Sequence, residues 1–123
     1  MQNVTKEQVA EAVIRHIKNN NKNIEVKTRL IRDYEDPQKV IWKSNHSGYT
    51  PDIKTTSPKG NSDIYEIELT DHYNADKWHL FSLYTKKTQG NLILVIPDSR
   101  VDEVSKEIRV KRLRNIQLIT IPL

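Results

Sequence analysis

Apolar residues recur at two different periods along this chain, and each change of period marks an element. Val9, Val13 and Ile17 lie at i, i+4 and i+8, with Ala10 and Ile14 beside them. A 3.6-residue helix gathers such positions on one face, so the spacing predicts an amphipathic helix over 5–19 with Thr5 as its N-cap. Asn and Lys crowd 19–23 and end it. Ile24, Val26, Thr28 and Leu30 then alternate, which predicts a strand over 24–32. Asp36-Pro37 reads as a turn, Val40-Ile41-Trp42 as a second strand, and His46-Ser47-Gly48 as loop. A short strand is expected over 49–55, starting near Pro51, because proline is better tolerated at a strand's start than at its centre. Ser57-Pro58-Lys59-Gly60-Asn61 is a turn cluster, and 64–69 is the next expected strand.

The period changes again over 75–88. Trp78, Phe81 and Tyr84, with Leu80 and Leu83, make a wide apolar helix face, and Gly90 is a natural stop. The unbroken apolar run 92–96 suits a central strand covered on both faces. Pro97-Asp98-Ser99 closes that strand and is a candidate cap for a helix over 100–113, built on Val101, Val104 and Ile108. A last strand is expected over 116–121. The order α, several strands, α, β, α, β predicts an α/β fold: one domain over 1–123, with a mixed central sheet flanked by helices. A chain of 123 residues suits one such core.

Composition removes several kinds of chemistry. There is no cysteine, which excludes disulfides, zinc-thiolate sites and a thiol nucleophile. No Gly-rich phosphate loop, nucleophile elbow or zinc-finger spacing is present. The first residues, MQNVTKEQVAEAV, lack the apolar run of a signal peptide, and 92–96 is too short to cross a bilayer. The expectation is a soluble, cytoplasmic protein with no membrane partner.

The net charge is +4, and its distribution is uneven. Residues 1–32 hold seven Lys/Arg against three Asp/Glu, and 100–123 hold six against three. Between them, 33–99 hold seven against ten. Bases therefore frame an acidic middle, a distribution suited to a polyanionic substrate. Arg109, Lys111, Arg112 and Arg114 are candidates for phosphate contact; a solvated helix end is the other reading of the same residues. Trp42 and Tyr49 could flank a nucleic-acid groove, whereas Trp78, Phe81 and Tyr84 read as core. His72 and His79, seven apart, fit no recognised metal spacing.

The acids of the middle segment fall in a pattern. Asp52 follows Pro51, and Glu66 and Glu68 sit two apart on the expected strand 64–69. Side chains two apart on a strand share a face, with Tyr65, Ile67 and Leu69 on the other. If the Asp52 strand pairs alongside, Asp52 joins Glu66 and Glu68. Packed carboxylates repel unless a cation sits among them, and a hard divalent ion is the usual one. The bland alternative is an interaction domain in which Glu66 and Glu68 simply face water.

This Pro-Asp followed by Glu-x-Glu, in this element order, resembles the PD-(D/E)XK nuclease superfamily, from the first helix through the strand at 92–96. The resemblance implies a restriction-endonuclease-like fold and a Mg²⁺- or Mn²⁺-dependent DNA endonuclease. It implies that Asp52 and Glu66 bind metal, with the backbone carbonyl of Ile67. An acid from the first helix, Glu7 or better Glu11, is the expected further ligand. Glu68 stands where the family usually has lysine. In some relatives a second Glu serves there, and in others the lysine migrates to the following helix; Lys77 is the candidate for that, with Lys54 second. The expected site is thus Asp52, Glu66, Glu68 and Lys77 for catalysis, and Asp52, Glu66 and Glu11 for metal. DNA is the expected partner, with a homodimer or a larger nucleoprotein complex left open. The missing lysine keeps open a second expectation, a nuclease-fold protein that has lost catalysis and serves as a DNA-binding or assembly subunit.

Overall fold

In the computed structural model, which describes residues 4–123, the first helix begins where its cap allows. Thr5 Oγ1 accepts the Gln8 N–H at 3.2 Å, and Gln8 Oε1 accepts the Thr5 N–H at 3.0 Å. This reciprocal box starts α1 (Lys6–Asn20), whose stripe Val9, Ala10, Val13, Ile14 and Ile17 is buried. Seven strands follow: β1 (Glu25–Thr28), β2 (Val40–Ile41), β3 (Gly48–Tyr49), β4 (Ile53–Thr56), β5 (Ser62–Ile67), β6 (Leu92–Pro97) and β7 (Ile116–Ile121). Helix α2 (Ala75–Lys87) joins β5 to β6, and α3 (Val101–Val110) joins β6 to β7.

The main sheet has the order β1-β4-β5-β6-β7. The first three strands form an antiparallel meander, and β5, β6 and β7 are parallel. Parallel neighbours need crossovers, here α2 and α3, and both pack on one face against Ile64, Leu92, Leu94 and Ile96. Helix α1 covers the opposite face, against Val26, Ile53, Ile67 and Val95. This is the mixed-sheet α/β domain with flanking helices that the apolar pattern predicts. The run on β6 is buried along its whole length because helices lie on both sides. Phe81 and Trp78 anchor the α2 face with no exposed surface, each contributing on the order of 1.5–3 kcal/mol by burial.

Several boundaries differ from the periodic reading. The strand expected over 24–32 ends at Thr28, because the chain turns back and Thr28 donates its N–H to Glu35 O at 2.9 Å. The strand expected over 49–55 is two pieces. Gly48 and Tyr49 pair with Ile41 and Val40 as a separate hairpin, and the main-sheet strand begins at Ile53. Gly48 lies so close to the Val40 carbonyl that no Cβ fits there. Strand β5 runs Ser62–Ile67 rather than 64–69, though the Glu68 N–H still reaches Val95 O at 2.9 Å. Asp98–Arg100 forms a 3-10 turn before α3, with no side-chain cap from the Pro97-Asp98-Ser99 segment.

Candidate active site

Asp52 lies one residue ahead of β4, and the register places it beside the end of β5. There two acids clasp each other's strand. The Asp52 N–H donates to Glu66 Oε2 at 2.6 Å, and the Ile67 N–H donates to Asp52 Oδ2 at 2.9 Å. Thr28 on β1 fixes the same residue from the other side, its hydroxyl donating to Asp52 O at 2.7 Å. Asp52, Glu66 and Glu68 are all buried, at 4%, 1% and 7% relative exposure. Glu66 and Glu68 therefore do not face water. They lie on the sheet face that the parallel crossovers oblige α2 and α3 to cover.

The first turn of α2 supplies one cation and one buried donor to these acids. Asn74 caps the helix, accepting the N–H groups of Asp76 and Lys77 at 2.9 and 3.2 Å. That fixes the backbone from which Lys77 reaches down to Glu66 Oε1 at 3.0 Å and Glu68 Oε2 at 3.7 Å. Trp78 follows, its indole N–H donating to Glu68 Oε2 at 2.7 Å and its ring stacked on Tyr73 at 4.6 Å. From the opposite face Lys6, in the first turn of α1, reaches Asp52 Oδ2 at 3.2 Å and Oδ1 at 3.5 Å. Three carboxylates and two ammonium groups thus share one site.

The charges act on one another. Burial pushes the Glu66 carboxyl up to about 7, and the neighbouring Asp52 adds to the rise. Lys77 only partly offsets these effects. For Lys77 itself, burial pulls the ammonium down, but Glu66, Glu68 and Asp52 outweigh it and the net shift is upward. The lysine is held charged by the acids it serves.

Of the expected residues, Asp52, Glu66, Glu68 and Lys77 come together. Glu11 does not join them. It lines a shallow groove with Ile14, Arg15, Lys18, Ile31 and Tyr34, none of which belongs to the cluster. Glu7 is exposed. Helix α1 meets Asp52 through a base, Lys6, rather than through an acid. Lys54 shares the face but lies over the Tyr84 ring, 5.1 Å from its centroid. Arg109, Lys111, Arg112 and Arg114 are exposed at the end of α3 and the turn after it. Lys111 lines a small cleft with Asp76 and His79, so the basic segment abuts the same first turn of α2. Trp42 and Tyr49, on the hairpin, are tied to Asp76 Oδ2 at 3.2 and 3.4 Å, and His79 meets the Trp42 ring edge-on.

Lys6 and Trp78 escaped the periodic reading. Packed acids need more than one cation, which is a reason to look for a second lysine, but no spacing distinguishes Lys6. Trp78 carried a clearer signal, since an indole N–H buried in a core needs an acceptor.

The cluster offers oxygen donors of the kind a hard divalent cation takes. In this arrangement its buried oxygens are already partnered: Arg100 Nε is the only buried side-chain polar atom without a partner among the described residues. Likewise, no group of three or more His, Asp or Glu stands ready to hold a metal ion among the described residues. A cation arriving at Asp52 competes with Lys6. None of the described helices is long and apolar enough to cross a membrane. No protein-family model, curated protein or solved structure matches this chain.

Proposed function

We propose that this chain is a divalent-metal-dependent DNA nuclease of the restriction-endonuclease-like fold. The observation that carries the reading is Lys77, whose ammonium stands 3.0 Å from Glu66 and 3.7 Å from Glu68. The strand motif lacks its lysine, and the following helix delivers one to the same acids. The order helix, antiparallel meander, helix, parallel strand supports the fold part of the proposal.

Asp52 and Glu66, with the Ile67 carbonyl, are the groups to hold the metal. Bound there, Mg²⁺ or Mn²⁺ would supply an activated water and offset charge at the phosphate. Lys6 must release Asp52 for this, and its side chain, 42% exposed, has room in solvent to move into. Glu68 would accept a hydrogen bond from that water, and Lys77 would orient it and offset developing negative charge. The basic segment 109–114 borders the first turn of α2, which suits a phosphate backbone led toward Lys77.

A second reading has its own support: the same fold with catalysis lost, serving as a DNA-binding or assembly subunit. The two lysines already compensate the acids, as they would in a site that no longer takes metal. Melting in millimolar Mn²⁺ separates the two. A ligand that binds only the folded state raises its melting temperature. The nuclease reading expects a rise for the wild type that Asp52→Ala abolishes. No rise in the wild type would sink it and leave the second reading.

A further inference from the structure

We infer that β7 is the seam of a symmetric homodimer in which two copies join their sheets edge to edge, β7 antiparallel to β7, centred on Leu118. The inference stands apart from the nuclease reading.

The two edges of the sheet are treated differently. Strand β1 is four residues long and carries Glu25 and Lys27. Its free side is partly covered by its own chain: Thr28 donates to Glu35 O, and Lys27 pairs with Glu35 at 3.8 Å. Charge, shortness and cover are the usual protections of an edge. Strand β7 has none of them. It runs six residues without a charge or a proline, reading Ile-Gln-Leu-Ile-Thr-Ile. Its aliphatic residues Ile116, Leu118, Ile119 and Ile121 are only half-buried, whereas β6 beside it is buried throughout.

The hydrogen-bond pattern selects the occupant. Leu92 pairs with Ile116 and donates its N–H to Asn115 O at 3.0 Å. In a parallel ladder, alternate residues then turn both backbone groups toward the neighbour. Gln117, Ile119 and Ile121 face β6, so Ile116, Leu118 and Thr120 present N–H and C=O to the free edge. A second copy laid antiparallel must match residues that share a sheet face, which forces the two-fold axis through a residue. Through Leu118, Ile116 meets Thr120 of the other copy, Leu118 meets Leu118, and Thr120 meets Ile116. Every outward group of the strand then has a partner, with about six hydrogen bonds from three exchanging pairs. An axis through Ile119 would set Ile116 opposite Pro122, which has no N–H to give. No charged side chain lies within the paired stretch, and antiparallel pairing keeps the two Arg114 residues at opposite ends. The joined main sheet then ends on a protected β1 strand at each side, so the assembly closes at two copies.

Two variants test it. Thr120→Pro keeps every bond to β6 and removes donors from the free edge. The wild type should have the mass of two chains by light scattering at about 100 μM, the range in which small interfaces associate, and Thr120→Pro that of one. The chain has no cysteine, so Leu118→Cys introduces its only thiol. Paired Cα atoms about 5.5 Å apart are within disulfide range. Leu118→Cys should therefore cross-link into a covalent dimer under mild oxidation at least tenfold faster than Lys59→Cys, an exposed turn position. A monomeric wild type, an open-ended polymer, a dimer indifferent to Thr120→Pro, or equal cross-linking of the two cysteine variants would each overturn the inference.

Discussion

Two residues decide how the acidic cluster behaves. Glu66 is raised to about 7 from an ordinary value of 4.5. An acid whose folded value lies above its unfolded one holds its proton more tightly in the native state. Its stabilising contribution is full below the unfolded value and is lost as pH rises through the folded one. The melting temperature of metal-free protein should therefore fall between pH 4.5 and about 7. Glu66→Gln should flatten that fall, and identical slopes in the two proteins would contradict the assignment. Lys77 is the other deciding residue. If it orients the water, Lys77→Ala should slow Mg²⁺-dependent cleavage by roughly 10²-fold or more, the scale of an electrostatic catalytic group. A near-neutral Lys77→Ala beside a severe Glu68→Ala would give that work to Glu68. At this scale the sequence was readable where strand parity governs: Asp52, Glu66 and Glu68 converge as the alternation predicts. It was not readable where the partner comes from far along the chain. Lys6 and Asp52 are 46 positions apart, and no local pattern joins them.

At the scale of elements, the strands β4 and β5 present the acids and α2 brings Lys77 and Trp78 to them. Its cap, Asn74, fixes the turn that offers Lys77 downward and Asp76 sideways to the hairpin. Asn74→Ala should cost about 1 kcal/mol of stability and also slow cleavage, because Lys77 loses its anchored backbone. A loss of stability with full cleavage retained would show that Lys77 finds its place without the cap. The helix itself was legible from Trp78, Phe81 and Tyr84, and β6 from its apolar run. The hairpin was not, because β2 and β3 hold two residues each and two residues show no period. The end of α2 falls within a residue of the expected 88, with Thr88 as its C-cap, but Gly90 is not what stops it. Gln89, not Gly90, takes the left-handed conformation, with φ at 61°. Gly90 is there because its backbone runs against the Ser62 carbonyl, leaving no room for a Cβ. That approach comes from strand β5 and leaves no trace in the helix sequence.

At the scale of the whole molecule, the uneven charge seen along the chain becomes a basic turn beside an acidic, lysine-compensated site. DNA affinity should fall steeply with salt, since each neutralised phosphate releases counterions. Changing Arg109, Arg112 and Arg114 together to Ala should flatten the slope of log affinity against log salt; an unchanged slope would move the DNA surface elsewhere. In the proposed dimer the two clusters sit on strands five spacings apart, about 24 Å at the usual strand separation. Cleavage in Mg²⁺ bears most directly on the central claim. Wild-type protein and Asp52→Ala are to be incubated with linear duplex, branched and single-stranded DNA, with and without the metal. The expected result is metal-dependent cutting of at least one substrate by the wild type. Asp52→Ala should show none, yet bind DNA equally or slightly more tightly because a source of repulsion to phosphate is gone. Wild-type protein that binds DNA and cuts none of these substrates in Mg²⁺ or Mn²⁺ would contradict the claim.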